Sequence, residues 1–230
     1  MHPIRLATLA LISACPLALG GVSWTEVFTT DFDSGMPGEV SGPASINPVP
    51  GALVGLGNGA GPFSGDLLWN SAIGNPAPAT VLTISNLPTH DALSLSFLMV
   101  FIDSWDSTNG SVTPDYFNIA VDGTTVFQTT SNNATGSVVY EGDLLYSGHA
   151  GWGGSWIDKA FDMTGDPGLT EIAHTADSVT IEFFASGGGW QGAGDESWAI
   201  DNLSLSVRIP APSVLACGVI GLTAARRRRD

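Results

Sequence analysis

Acids and tryptophans, set among very few bases, are what this 230-residue chain offers for chemistry. One acidic group is Asp103-Ser104-Trp105-Asp106, followed by Asp115. Carboxylates gathered at a strand's end around an aromatic ring suit a loop metal site or the rim of a ligand site. Solvated loop acids are the plainer alternative. Two glycine-rich stretches carry three of the seven tryptophans: Trp152 and Trp156 in one, Trp190 in the other. Indole faces pack against sugar rings, and neighbouring acids and amides exchange hydrogen bonds with hydroxyls, so these rings are candidate glycan contacts. Trp190 is the best-exposed candidate, because glycines flank it so densely. The competing expectation is that the indoles pin loops onto a core, since Trp is highly buried on average.

Enzyme signatures are weak. No Gly-x-Ser-x-Gly elbow occurs, so the usual α/β-hydrolase nucleophile is missing. The Glu-x-Asp-x-x-Glu pattern of many sandwich-fold glycosidases is also absent. Paired carboxylates from distant loops remain possible for glycoside hydrolysis, but so many acids pair by chance. A non-catalytic protein is therefore expected, with a polysaccharide hydrolase as the remote alternative.

The elements that position these residues read as strands. Helical periodicity is nearly absent between the two ends, whereas short alternating runs recur. Runs at residues 26–32, 80–85, 92–102, 116–121, 124–129, 178–185 and 198–207 are predicted strands, with one short strand around residues 53–56. Asp122-Gly123 between two β-rich runs predicts a hairpin, because Gly supplies the positive φ that such a turn needs. From Ala92 the chain starts half exposed and ends apolar on both faces. In the last run Trp198 and Ile200 share one parity, and Leu203, Leu205 and Val207 the other. A β-bulge at Asp201-Asn202 restores one inward face and re-aims Asp201. Short strands with long connections predict an all-β jelly-roll β-sandwich.

The stretch from Asp195 to Leu203, with Asp201 inside it, resembles the closing strand of MAM-like and carbohydrate-binding-module jelly rolls of the concanavalin A-like and galactose-binding-like kind. The resemblance implies that Asp201 meets Asp31 and Asp33 of the first strand across the sheet and that the three hold calcium. Calcium accepts several hard oxygen ligands in flexible geometry. The bland alternative is that these Asp residues cap turns. Zinc is a poor candidate, because residues 21–209 contain no Cys and only His90, His149 and His174.

The ends carry their own signals. Arg5 followed by an apolar run from Leu6 to Leu19 reads as a signal peptide over 1–20. That run is too short to span a bilayer. Ile12-Ser13-Ala14-Cys15 has the order of a lipobox, which makes lipidation of Cys15 the alternative processing. At the other end Pro210-Ala211-Pro212 precedes a short apolar segment and then Arg226, Arg227, Arg228 and Arg229. Arginines behind a short apolar helix are held on the cytoplasmic side. This tail, residues 210–230, resembles the PEP-CTERM sorting signal of exported bacterial proteins, with Ala211 where that motif has Glu. The resemblance implies an exosortase-type processing enzyme as partner and display at the cell surface or in the extracellular matrix.

With both ends set aside, residues 21–209 hold two bases, Lys159 and Arg208, against 21 acids, a net charge near −19. Such a surface excludes nucleic acid and anionic membrane as partners, since both need a basic face. An extracellular polysaccharide stays open as a partner.

Overall fold

Alternation of apolar and polar side chains dictates the architecture, seen in a computed structural model that describes residues 22–108, 112–135 and 137–211. Thirteen strands follow one another: β1 (Ser23–Thr30), β2 (Val40–Ser41), β3 (Ser45–Pro48), β4 (Asp66–Asn70), β5 (Thr80–Ser85), β6 (Ala92–Asp103), β7 (Tyr116–Val121), β8 (Thr124–Thr129), β9 (Asp143–Gly148), β10 (Asp158–Asp162), β11 (Ile172–Ala173), β12 (Ser178–Ser186) and β13 (Glu196–Ile209). They build one unit spanning Ser23–Pro210. The described residues contain no helix, and so none long and apolar enough to cross a membrane. The signal segment 1–20, Cys15, Pro212 and Arg226 to Arg229 lie outside the described residues, whereas Pro210 and Ala211 are exposed.

The strands form two antiparallel sheets. The larger runs β3-β4-β13-β6-β10-β9, with β1 also paired to β13 and β11 to β6; the smaller runs β2-β5-β12-β7-β8. One core fills the space between them. Phe97 of β6 meets Phe183 of β12 edge-on at 6.0 Å, and Phe117 of β7 meets Trp198 of β13 at 5.2 Å. Burying aromatic rings of this size dominates core energetics, and edge-on pairs add to it. A second core lies on the far face of the larger sheet. There Leu98, Val100 and Ile102 of β6 pack with Ala160 and Ala199 under Leu53 and Phe63. This explains why β6 starts half exposed and ends covered on both sides.

The last strand bulges where the parity of its apolar residues changes. Asp201 faces Leu98 and Ser204 faces Ser96, so β13 carries one extra residue there, with Asn202 at φ 52°. Trp198 and Ile200 before the bulge, and Leu203, Leu205 and Val207 after it, all enter the central core. The Asp122-Gly123 turn takes positive φ at both positions, 48° and 77°, as a tight hairpin demands.

Two expectations are corrected. Residues 53–56 form no strand; they turn, with Leu53 N–H on the Pro50 carbonyl at 2.9 Å and Leu56 N–H on the Leu53 carbonyl at 3.0 Å. Leu53 is apolar because it caps the second core. The first strand ends at Thr30 rather than at Phe32, which is buried at φ 60°.

Candidate functional site

Two acidic regions flank the larger sheet. At the first, β1 runs into Asp31 and Asp33, and the bulge presents Asp201. The Asp31 carboxylate accepts the Asp33 N–H at 3.2 Å, and that of Asp33 accepts the Asp66 N–H at 2.7 Å. Asp201 is fully buried; its Oδ1 accepts the Asn202 N–H at 2.7 Å and its Oδ2 the Ser64 N–H at 3.3 Å. Burial, then the charges of Asp33 and Asp31, push the Asp201 carboxyl up to about 7 against those two N–H donors. The three acids thus share one field around the Ser64-Gly65-Asp66 loop. Gly65 is required there, because at φ 51° a Cβ would strike the Asp33 carboxylate. The donors are hard oxygens, the kind calcium takes. Each carboxylate also makes the turn contacts that were the competing expectation. Among the described residues no group of three or more His, Cys, Asp or Glu side chains is arranged to hold a metal ion, so any cation here would need backbone oxygens as well.

The second region lies at the other end of β6. Asp103 at φ 65° closes β6 opposite Glu196, the first residue of β13. Burial, then Asp158 and Asp195, raise the Asp103 carboxyl, and burial followed by Asp195 raises that of Asp106. Glu196 is buried, and its Oε2 accepts the N–H groups of Gln191 and Gly192 at 2.8 and 3.0 Å, which shapes the loop before β13. The Ser104 hydroxyl donates to Asp195 Oδ1 at 2.7 Å. Asp115 is buried beside Asp106 rather than standing on the rim.

Above these acids opens a cavity of about 530 Å³, walled by Asp106, Asn132, Trp156, Gln191, Asp195 and Glu196 among others. Trp156 is 42% exposed. One half-exposed tryptophan, two amide residues and three acidic residues therefore line one open space. Neither basic residue of 21–209 is free to neutralise it. Lys159 is buried and donates from Nζ to the carbonyls of Asn132 and Ser137, with its pKa pushed down to about 8 by burial. Arg208 pairs with Asp91 at 2.6 Å and with Glu171 at 3.3 Å.

Of the three tryptophans singled out as glycan contacts, only Trp156 stands at this opening. Trp190 is a correction. It is 7% exposed, its Nε1–H donates to the Ala72 carbonyl at 3.0 Å, and its ring meets Trp105 at 5.3 Å. Its glycines do not expose it; they let the loop press close, since a Cβ on Gly189 would strike the Thr113 carbonyl. Trp152 is half-buried against the second core. Sequence reasoning missed Asn132, Gln191, Asp195 and Glu196 as cavity residues. The signal available was the start of the last strand, which must lie beside the end of its neighbour.

No protein-family model and no curated protein matches this chain. Among solved structures it is similar to the CBM22-2 xylan-binding domain from Paenibacillus barcinonensis Xyn10C, at 12% identity and a TM-score of 0.37 over 78% of this chain and 98% of that one. The CBM22-1 xylan-binding domain of the same protein gives 8% identity and 0.39 over 82% and 97%. The C-terminal family 22 carbohydrate binding module of Clostridium thermocellum Xyn10B gives 10% and 0.34 over 82% and 97%. At such TM-scores the likeness carries no weight for function, which rests on the geometry of the site itself.

Proposed function

We propose that this chain is an exported, non-catalytic carbohydrate-binding domain of jelly-roll type, directed at extracellular polysaccharide. The observation that carries this reading is the exposed Trp156 indole at the mouth of an amide- and acid-walled cavity of about 530 Å³. The apolar face of a sugar ring covers an indole, while its hydroxyls donate to Asp106 and Asp195 and accept from Gln191. Affinity electrophoresis through a panel of soluble polysaccharides, xylan included, tests it. Retardation by at least one polymer supports the reading, and no retardation across the panel sinks it. Release of reducing sugar from a retained polymer would turn the reading towards the hydrolase alternative.

A second reading concerns calcium. The Asp201 carboxyl, raised by burial first and then by the charges of Asp33 and Asp31, favours a cation held by Asp201, Asp33 and Asp31. Bound calcium would neutralise that field and tie β1 to β13. The melting temperature of chelator-treated protein should then rise with added calcium, and Asp201→Asn should lose most of that rise. An unchanged melting temperature in the wild type contradicts it.

For the ends, the proposal is export through residues 1–20 and processing of residues 210–230 by an exosortase-type enzyme. Mass measurement of the mature protein tests both. Loss of the two ends agrees with the proposal, retention of the arginine tail indicates a membrane anchor, and a lipid on Cys15 indicates the lipobox route.

A further inference from the structure

Two buried histidines bridge the sheets away from both acidic regions. His90 lies in the connection between β5 and β6, His174 follows β11, and Asp122 opens the β7–β8 turn. His90 Nδ1 is 2.6 Å from the Pro88 carbonyl, His90 Nε2 is 2.7 Å from His174 Nδ1, and His174 Nε2 is 3.1 Å from Asp122 Oδ2. The ring planes differ by only 15°, with centroids 5.0 Å apart. Facing nitrogens at 2.7 Å with centroids that far apart mean that the rings meet edge to edge, as an N–H···N bond requires.

The hydrogen count decides the charge. A carbonyl and an ionised carboxylate only accept. Both outer ring nitrogens must therefore carry a hydrogen. The central bond needs a third, on either facing nitrogen. Two neutral imidazoles carry two N–H hydrogens in all. Making all three bonds takes one extra proton.

We propose that His90 and His174 share a single extra proton, with Asp122 as its counter-ion, and so form a pH-sensitive clasp between the two sheets. His174 belongs to the segment after β11 of the larger sheet, and Asp122 to the turn of the smaller one. Asp122 is fixed independently: its Oδ1 accepts the Thr180 N–H and its own N–H donates to the Thr180 carbonyl, each at 2.9 Å. The other charged groups on the surrounding elements are engaged elsewhere or present backbone. The Asp91 carbonyl accepts the His174 N–H at 3.4 Å, while its carboxylate is held by Arg208, which also takes Glu171. Asp177 receives the Leu87 N–H on its carbonyl at 2.8 Å. When the shared proton leaves, one of the three bonds is lost. The bond that depends on this proton is therefore made at the acid end of the imidazole range and missing at the alkaline end.

The test is carried out on the full chain between about pH 5 and about pH 8, where imidazoles change charge. Nitrogen-15 spectra of the histidine rings should show three N–H hydrogens on the His90–His174 pair at the acid end and two at the alkaline end. Asp122→Asn supplies an amide N–H to His174 Nε2 and keeps a carbonyl for Thr180, so two neutral rings satisfy it. Its melting temperature should fall less across the range than that of the wild type, by roughly 2–4 °C. Two neutral rings in the folded wild type at the acid end would overturn the proposal, as would equal falls in both proteins. The ring count needs no variant, so the proposal stays testable even where Asp122→Asn does not fold.

Discussion

Asp106 and Asp115 are tied by two reciprocal hydrogen bonds: the Asp106 N–H donates to Asp115 Oδ2 at 2.7 Å, and the Asp115 N–H donates to the Asp106 carbonyl at 2.9 Å. The arrangement leaves Asp115 Oδ1 as the single buried side-chain polar atom without a partner among the described residues. Burial, then the charges of Glu196, Asp106 and Asp195, push its carboxyl up to about 7. The folded state therefore binds a proton that the unfolded chain has released above about pH 4. Stability contributed by this group is present at the acid end and is lost as pH rises towards 7. Asp115→Asn keeps the acceptor for Asp106 and removes the charge. The variant should match the wild type near pH 4 and exceed it by about 1–3 kcal/mol near pH 8 in denaturant titrations. A variant less stable than the wild type at pH 8 would show that the ionised form is held by contacts other than these.

Lys159 titrates with the opposite sense. Its folded pKa of about 8 lies below the unfolded value. Between about 8 and about 10 the unfolded chain binds the extra proton, so this group makes the domain more stable as pH rises through that window. Lys159→Met should flatten the rise. It also frees the Asn132 and Ser137 carbonyls, so a net loss of about 1–3 kcal/mol at neutral pH is expected. An alkaline rise of equal size in the variant would assign it to another group.

Charge should also sort ligands. Asp106, Asp195 and Glu196 wall the cavity with no free Lys or Arg among the described residues to offset them. Polyuronates should bind more weakly than neutral polymers of the same length, and added salt should narrow the gap, since screening acts over roughly 10 Å at 0.1 M. Parallel affinity gels at low and high salt check this. Stronger binding of a polyuronate in the presence of chelator would contradict the charge argument.

How much of this was legible in the sequence depended on whether one residue type had one physical use. The β13 bulge was readable because the apolar residues around Asp201 change parity, and only an inserted residue keeps both sets inside. The Asp122-Gly123 hairpin was readable from its turn chemistry. Strand β10 was not. Its Asp158-Lys159-Ala160-Phe161-Asp162 is buried throughout despite three charged residues. Asp158 accepts the Asp103 and Ala150 N–H groups, Asp162 those of Asn58, Ala60 and Thr164, and Lys159 ends on carbonyls. Burial bought with backbone partners from distant loops leaves no periodic signal. Trp190 misled for a related reason: glycine beside an indole signals close approach as readily as exposure. The histidine pair left no local trace, because residues 84 positions apart make it.

The most direct test of the carbohydrate-binding account compares Trp156→Ala with Trp190→Ala on a polysaccharide that retards the wild type. Trp156 is exposed, so its truncation should leave stability within about 0.5 kcal/mol while abolishing retardation. Trp190 is buried against Trp105, so its truncation should cost about 3–5 kcal/mol of stability. At a temperature where that variant stays folded, it should still be retarded. Retardation undiminished in Trp156→Ala would contradict the account.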